Sequence, residues 1–470
     1  METLRGKTAA VLGIGVSNRP LIDLLCAYGV LVTACDKKTE EELGDTAVEL
    51  RKKGVKLQLG SGYLDELDAD IIFRTPGMRP DVPALERARS KGSIITSEME
   101  VFFEVCPCPI VAVTGSDGKT TTTTLVYTLL KQAGYTCHLG GNIGHPLLAD
   151  AAQMKPSDYA VVELSSFQLM TMRKSPHIAI VTNLSPNHLD IHKGMEEYVA
   201  AKKNIFLHQS SSDRVVFNAD NDLTASFVGN APAATYTFSR KTARTNGVYC
   251  TDGVVRANMD GRIVEIMRED EILLPGKHNL ENYMAAIAAV WGIVSAEDVV
   301  AVAKTFKGVE HRMEFVREWN GVRFYNDSIA TSPSRVIAGL QTFDRVVLIA
   351  GGYDKQIPFD VLGPEIVAHV KTLILCGATA DKIRKAVTDC PDYSPFHLPI
   401  HEFTDFRAAV QFAAIQVARP GDIVTLSPAC AAFDQFKNFA ERGNFYKEII
   451  MDLGTDDGTC DFTYTKGEHA

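Results

Sequence analysis

Residues 114–121 read Thr-Gly-Ser-Asp-Gly-Lys-Thr-Thr and follow the apolar run Pro109-Ile110-Val111-Ala112-Val113. A strand that runs into a glycine-bearing loop, then a lysine, then a hydroxyl residue opening a helix is suited to cradling a nucleotide triphosphate. Loop N–H groups and the positive helix N-terminus face the phosphates, Lys119 adds a point charge, and the Thr120 hydroxyl can ligate Mg²⁺. The first glycine of the generic phosphate loop would stand at position 113, which is Val. The loop is therefore the shorter Thr-Gly-x-x-Gly-Lys-Thr. The competing reading is a glycine turn beside a chance Lys-Thr. The order strand, loop, helix favours the phosphate loop.

Further chemistry-bearing residues fall at strand ends. Val161-Val162-Glu163 puts a carboxylate at the C-terminal end of an apolar run, where ligands of α/β sheets bind. Glu163 is thus placed like an acidic residue that holds nucleotide-bound Mg²⁺. The next such run leads into Asn183-Leu184-Ser185-Pro186-Asn187-His188-Leu189-Asp190, which brings His188 and Asp190 to the same rim. A metal or phosphate role and an ordinary hydrogen-bonding histidine are both open there. In Tyr198-Val199-Ala200-Ala201-Lys202-Lys203 the lysine pair reads by itself as a solvated helix face. Asn279 and Asn282, in Gly276-Lys277-His278-Asn279-Leu280-Glu281-Asn282, share one helical face. Asn279 has the type of an N-cap, whereas Asn282 lies too deep for one, and two amides on a face can read a nucleobase edge. Near the N-terminus, Gly13-Ile14-Gly15-Val16-Ser17-Asn18 follows a strand over 8–12, and Asp36 ends a strand over 30–35, 21 residues after Gly15. That spacing resembles a dinucleotide half-site, but Asn18 stands where the third glycine would be. A nucleotide-like ligand and a ligand-free βα turn both remain open.

These residues need a framework of α/β type. The chain of 470 residues, at roughly 100–200 per domain, suggests about three domains. It is 46% hydrophobic and 23% charged, which argues against disorder and membrane spanning. Net charge is −10 with no basic run, so neither nucleic acid nor an anionic membrane is an expected partner. Ten scattered cysteines without CxxC or zinc spacing fit free thiols in a reducing cytoplasm. Cys106-Pro107-Cys108-Pro109 marks a boundary, because two prolines cannot continue a helix. The expected domains are 1–107, 108–309 and 310–453, with a mobile tail at 454–470. Central strands are expected at 159–163, 178–183, 215–218 and 272–274, and helices at 120–133, 195–208 and 280–293. In the last domain strands are expected at 322–326, 346–350, 372–376 and 423–426, alternating with helices.

The 114–121 loop, Gly141-Asn142-Ile143-Gly144, Glu163-Leu164-Ser165-Ser166-Phe167-Gln168-Leu169, Asn187-His188-Leu189-Asp190, the 276–282 stretch, His311-Arg312, Asn326-Asp327-Ser328 and Ser427-Pro428-Ala429-Cys430 occur in one order. Together they resemble the ATP-dependent muramyl ligases of peptidoglycan synthesis, from Gly13 to about Lys447. The 163–169 stretch and Asp434-Gln435-Phe436-Lys437-Asn438-Phe439 look like the D-glutamate-adding member of that family.

The resemblance implies a Rossmann-like N-terminal domain, a central P-loop ATPase-like domain with a mostly parallel sheet, and a Rossmann-like C-terminal domain. It implies that UDP-N-acetylmuramoyl-L-alanine meets Gly13, Gly15, Val16, Ser17, Asn18, Asp36, Gly77 and Asn142. ATP would meet Thr114, Gly115, Ser116, Asp117, Gly118, Lys119, Thr120, Thr121, Asn279, Asn282, His311, Arg312 and Asp327. Mg²⁺ would be held by Thr120, Glu163, His188 and a carbamylated Lys202, and the catalytic set would be Lys119, Glu163, His188 and Lys202. D-glutamate would meet Thr331, Lys355 and Phe439. Ile329 stands where many relatives have Lys, and Ala432 where many have Ser. A cytoplasmic monomer is expected. Three other readings are weighed: another ligase of the superfamily, a nicotinamide-dependent dehydrogenase built on Gly13-x-Gly15 and Asp36, and an ATPase coupled to movement. The 434–439 stretch speaks against the first, and the dehydrogenase leaves the phosphate loop unexplained.

Overall fold

The structure is a computed structural model, and it describes residues 5–15, 18–188, 191–274 and 276–454. The expected tail, Val16, Ser17 and Asp190 therefore lie outside or almost wholly outside the described residues. The chain forms two compact units. One holds residues 1–272 and 277–304, the other 273–276 and 305–470.

The first unit contains two sheets. The smaller is built from β1 (Thr8–Leu12), β2 (Leu31–Asp36), β3 (Lys56–Leu59), β4 (Ile71–Phe73) and β5 (Ile94–Thr96), in the order β3-β2-β1-β4-β5. All its pairings are parallel. The chain steps outward from β1 to β3 and returns on the other side at β4. A crevice consequently opens beyond the C-terminal ends of β1 and β4, where the order reverses.

The larger sheet comprises β6 (Ile110–Thr114), β7 (Cys137–Gly141), β8 (Tyr159–Glu163), β9 (Ile178–Val181), β10 (Arg214–Asn218), β11 (Ala234–Ser239), β12 (Gly247–Thr251), β13 (Val254–Met259) and β14 (Arg262–Arg268). Its order is β14-β13-β12-β11-β10-β9-β6-β8-β7. Strand β6 is buried throughout and lies between β8 and β9, so the loop that follows it emerges where both neighbouring strands also end. The Lys119–Gln132 and Lys277–Val290 helices pack on each other, and the second is buried from Leu280 to Val290 apart from Glu281.

The pairings are parallel up to β12. From there β12, β13 and β14 form an antiparallel meander. It turns at Asp252-Gly253 and Asp260-Gly261, where both residues of each pair have positive φ. These are two-residue hairpin turns whose twist matches that of the strands, and Asp-Gly is a sequence signal for them. The meander went unanticipated although that signal is present. The expected strand at 272–274 does not form. The expected helix at 195–208 ends as Met195–Lys203, and the one at 280–293 runs Lys277–Val290. Asn279 is therefore inside the helix and is not its N-cap.

The second unit carries β15 (Glu314–Trp319), β16 (Val322–Asn326), β17 (Val346–Ala350), β18 (Val370–Cys376), β19 (Ile400–Phe403) and β20 (Ile423–Leu426), ordered β15-β16-β20-β17-β18-β19. Only β15 runs antiparallel to its neighbour. Among the described residues no helix is long and apolar enough to cross a membrane.

Within the first unit the two sheets are tied by Arg74, which follows β4 and is 1% exposed. Its guanidinium donates to the carbonyls of Pro76 (3.3 Å) and Met78 (2.9 Å), and across the seam to the Phe167 carbonyl (3.0 Å) and the Thr171 hydroxyl (2.9 Å). Removing it leaves four oxygens without this donor. Arg74→Ala should destabilise the first unit by about 2–4 kcal/mol, read as a lower urea midpoint at unchanged m-value. An unchanged midpoint would contradict this account.

Candidate active site

The loop after β6 is shaped by two glycines. Gly115 has φ +153°, and a Cβ there would overlap the Thr182 hydroxyl at the end of β9. Gly118 has φ +75°, and a Cβ there would overlap the Asn282 amide oxygen. Neighbouring strands hold the loop. Ser116 N–H donates to the Asn183 carbonyl (2.9 Å), Asp117 N–H to Asn183 Oδ1 (2.9 Å), and the Thr182 hydroxyl to the Asp117 carbonyl (2.6 Å). Gly118 caps the following helix without a side-chain acceptor, so the positive end of that helix opens at the loop. Lys119 lies back over the loop, its Nζ donating to the Gly115 (3.1 Å) and Ser116 (3.0 Å) carbonyls. Thr121 is half-buried in the first helical turn.

Around this loop the structure gathers several of the expected residues. Thr120 donates its hydroxyl to Glu163 Oε2 (2.7 Å), and Asn142 Nδ2 donates to Glu163 Oε1 (2.8 Å). Asn282 accepts from the Thr122 hydroxyl (3.2 Å) and donates to Asn279 Oδ1 (3.3 Å), so the two amides share a face as expected. Lys202 is 2% exposed, which overturns the solvated-face reading. Its Nζ donates to the Thr114 hydroxyl (3.1 Å) and the Gly115 carbonyl (2.8 Å). Burial, helped by the charge of Lys119, pushes its pKa well below the ordinary lysine value, against the weaker pull of Glu163 and Asp117. Tyr198, one turn earlier on the same helix, shares a 2.9 Å hydrogen bond with the Ser116 hydroxyl.

His188 sits at φ +54° with its ring edge-to-face on Phe167, centroids 5.1 Å apart. The other face of the arrangement is His192, which the sequence reading did not single out. It is stacked on Phe167 at 5.3 Å and 7°, and its Nε2 lies 2.9 Å from the Ser166 hydroxyl. Thr120, Glu163 and Asn142 meet directly, as do Lys202, Thr114 and Gly115. His188 touches Phe167, which stacks on His192, and His192 packs edge-to-face on Tyr198, whose ring lies under Lys202 Nζ. Among the described residues no three His, Cys, Asp or Glu side chains converge on a metal position.

At the crevice of the smaller sheet, Asp36 accepts from Ile14 N–H (2.6 Å) and Lys38 N–H (3.0 Å). Asn18, 4% exposed, donates to the carbonyls of Leu12 (3.0 Å) and Gly13 (2.9 Å). The Gly13–Gly15 loop is thus braced by its own polar residues. Gly13 faces Thr75 across the crevice, and Gly77 is exposed in the turn after β4.

In the second unit, Asp327 is buried and accepts from the Ser427 hydroxyl (2.7 Å) and Met313 N–H (3.2 Å). Burial nevertheless pushes its carboxyl up to about 7. His311 has φ +61°, and its Nδ1 lies 3.0 Å from Asn326 Nδ2. Arg312 closes a turn onto the Val309 carbonyl (2.9 Å). Phe439 is edge-to-face with His311 at 5.9 Å, and its carbonyl accepts from the Ser328 hydroxyl (2.8 Å). Lys355 Nζ lies 3.4 Å from both the hydroxyl and the carbonyl of Thr331, so these two expected partners are neighbours. Asp354 pairs with Lys382 at 2.5 Å and not with Lys355. Arg442 was not anticipated. It is 2% exposed and donates to the Ser328 hydroxyl and carbonyl and to the Cys430 and Ala431 carbonyls at 3.0–3.1 Å.

Comparison with known proteins matches residues 113–290 to the Mur ligase middle domain, and residues 311–430 to the Mur ligase, glutamate ligase domain. The UDP-N-acetylmuramoylalanine--D-glutamate ligase of Acetivibrio thermocellus is 54% identical over 456 residues, spanning 96% of this chain and 98% of that relative. That of Clostridium kluyveri is 52% identical over 454 residues, with the same coverage. The fold is shared with the UDP-N-acetylmuramate-alanine ligase of Thermotoga maritima, at TM-score 0.54 and 18% identity, covering 95% of this chain and 99% of that one. With matches over both its central and its C-terminal segments and relatives above half identity along nearly all its length, the chain belongs to the Mur ligase family.

Proposed function

We propose that this protein is an ATP-dependent ligase that adds D-glutamate to UDP-N-acetylmuramoyl-L-alanine in peptidoglycan precursor synthesis, as a monomer in the cytoplasm. The observation that carries this reading is the near-full-length match, at 54% identity, to a relative named for that ligation. The site supplies parts that the chemistry needs. A carboxylate oxygen of the muramyl substrate attacks the γ-phosphorus of ATP, giving an acyl phosphate and ADP. The amine of D-glutamate then attacks the acyl carbon, an amide bond forms, a proton is lost and phosphate leaves.

The first step brings two anions together, so positioning and charge neutralisation dominate. Lys119 would leave the carbonyls of Gly115 and Ser116 for the phosphates, with the N–H groups of the loop and the Lys119–Gln132 helix beside it. The Thr120 hydroxyl and Glu163 carboxylate, 2.7 Å apart, offer the hard oxygen donors that suit Mg²⁺. Bound there, Mg²⁺ would neutralise the terminal phosphates. Lys202 would join Glu163 and His188 after carbamylation. Its buried amine, biased toward the neutral form, attacks CO₂, an N–C bond forms and a proton leaves, turning a cation into an oxygen ligand.

The remaining roles follow the same reading. Gly13, Gly15, Val16, Ser17, Asn18, Asp36, Gly77 and Asn142 would face the UDP substrate. Asn279, Asn282, His311, Arg312 and Asp327 would face ATP along with the phosphate loop. Lys355, Thr331 and Phe439 would receive D-glutamate. Phosphate release with UDP-N-acetylmuramoyl-L-alanine and a panel of amino acids tests the whole reading. Release that requires D-glutamate is expected, and release indifferent to the amino acid would overturn it.

Lys119→Ala should cut ligation below a tenth of wild type while UDP-substrate affinity stays nearly intact, since a lost charge-assisted contact costs at least about 1.5–3 kcal/mol. Turnover above that level would remove Lys119 from the reaction.

Lys202→Ala should be nearly inactive and partly rescued by short carboxylates such as formate or acetate, which replace the oxygen ligand. Crystals grown with bicarbonate and Mg²⁺ should show a carbamate at 202, and an unmodified lysine there would argue against this role.

Lys355→Ala should raise the KM for D-glutamate roughly 10- to 150-fold, the worth of one hydrogen-bonded charge at about 1.5–3 kcal/mol. KM values for ATP and the UDP substrate should move little. Equal shifts in all three would assign the acceptor to another group.

A further inference from the structure

Two residues beyond Gly77, the chain places an arginine whose guanidinium is fully engaged. Arg79 Nε donates to Asp81 Oδ1 (2.8 Å) and Nη2 to Asp81 Oδ2 (2.9 Å), both on its own loop. The other donors cross to the larger sheet's side of the first unit. Nη1 reaches the Ile191 carbonyl (2.7 Å) and Glu197 Oε2 (3.0 Å), and Nη2 reaches Glu197 Oε1 (2.8 Å). All five N–H donors are therefore used, and a fork pairs with a carboxylate on each side. A single solvated ion pair is worth little. This side chain is only 21% exposed and bonds three groups in fixed geometry, which places it in another class.

The groups that Arg79 grips lead to the candidate metal residues. Ile191 N–H (3.2 Å) and His192 N–H (3.0 Å) donate to the His188 carbonyl, so the Ile191 carbonyl belongs to the turn that carries His188. Glu197 lies on the Met195–Lys203 helix, immediately before Tyr198 and five residues before Lys202. Its carboxylate also accepts from Lys193 N–H (2.8 Å) and lies 3.4 Å from His192 Nδ1. Lys193 Nζ returns to Asp81 (2.7 Å). The guanidinium holds Glu197 down to about 2, so the clamp stays ionised across the neutral range.

We propose that Arg79 is a positioning residue that fixes the His188 turn and the Lys202 helix to the nucleotide-facing loop of the smaller sheet, so that UDP binding and metal-site assembly are coupled through this one side chain. Arg79 touches none of the reacting groups and acts through Glu197 and the Ile191 carbonyl. The inference rests on the reading of Lys202 and His188 given above.

Its test reads the modification and not turnover. Full-length protein is titrated with Mg²⁺ in ¹³C-bicarbonate and ADP, and the carbamate carbon is followed by NMR, with Lys202→Ala as the control that lacks it. Wild type is expected to show a Lys202-dependent signal whose Mg²⁺ midpoint falls when UDP is added. Arg79→Ala should raise that midpoint roughly tenfold and abolish the response to UDP, within the range of ordinary site–site coupling. Its ADP affinity should stay within about twofold of wild type, because the phosphate loop is untouched. Glu197→Gln should behave alike, and the double variant should be no worse than either single one. A purely structural role would lower the melting temperature of Arg79→Ala without moving the midpoint or the UDP response, and that result overturns the proposal. Should Arg79→Ala not fold, Glu197→Gln carries the same comparison. Absence of any Lys202-dependent carbamate in wild type would instead overturn the reading of Lys202, and this inference with it.

Discussion

Much of the candidate site depends on where one amine is buried. Lys202 sits at 2% exposure with its Nζ on the Thr114 hydroxyl and the Gly115 carbonyl. Its charged form is disfavoured there, because two neutral oxygens do not replace the water an ammonium loses. That constraint makes the helix bearing Lys202 and the phosphate loop a single structural object. The Gly115 carbonyl accepts from Lys202 and Lys119 together, so the position of that one backbone oxygen governs both lysines. The position follows in turn from Gly115, whose φ and proximity to Thr182 leave no room for a side chain.

Two other cations extend the same principle through the first unit. Arg74 and Arg79 both follow β4, and both donate across the seam to the side of the larger sheet, Arg74 to Phe167 and Thr171, Arg79 to Ile191 and Glu197. A planar fork with five donors can satisfy several carbonyls at once in a way a lysine cannot. The second unit uses the device again. Arg442 spans Ser328, Cys430 and Ala431, which follow β16 and β20, and so gathers the loops on which Asp327, Thr331 and Ala432 are carried. Burial lowers its pKa to about 10, yet it remains protonated near neutrality.

Apolar Ile329 and Ala432 bear on this second unit as well. Ala432 is 2% exposed, and Lys355 lies beside Thr331. Lys355, from the loop after β17, thus puts a cation beside Thr331, while the Asn326-Asp327-Ser328 stretch contributes a buried carboxyl whose pKa burial raises to about 7.

The local chemistry was legible in the residues. Strands around β1, β6, β8, β9, β17 and β20 were readable because buried parallel strands are continuous apolar runs, and the phosphate loop because glycine, lysine and threonine follow β6 at once. The Asp-Gly turns of the β12–β14 meander were equally local, and they were overlooked. Short strands such as Ile71–Phe73 and Ile94–Thr96 carried too little pattern to register. What tertiary structure alone decided is which charges are buried and whom they meet. A helical Lys-Lys pair looks solvated until the fold covers one of the two. Arg79 and Glu197 are separated by 118 positions, and nothing in either neighbourhood reveals the other. Periodicity and turn chemistry act over a few residues, so sequence determines elements and their ends. Desolvation and long-range pairing depend on how those elements pack, and that is where the identity of a buried amine or a clamping guanidinium is settled.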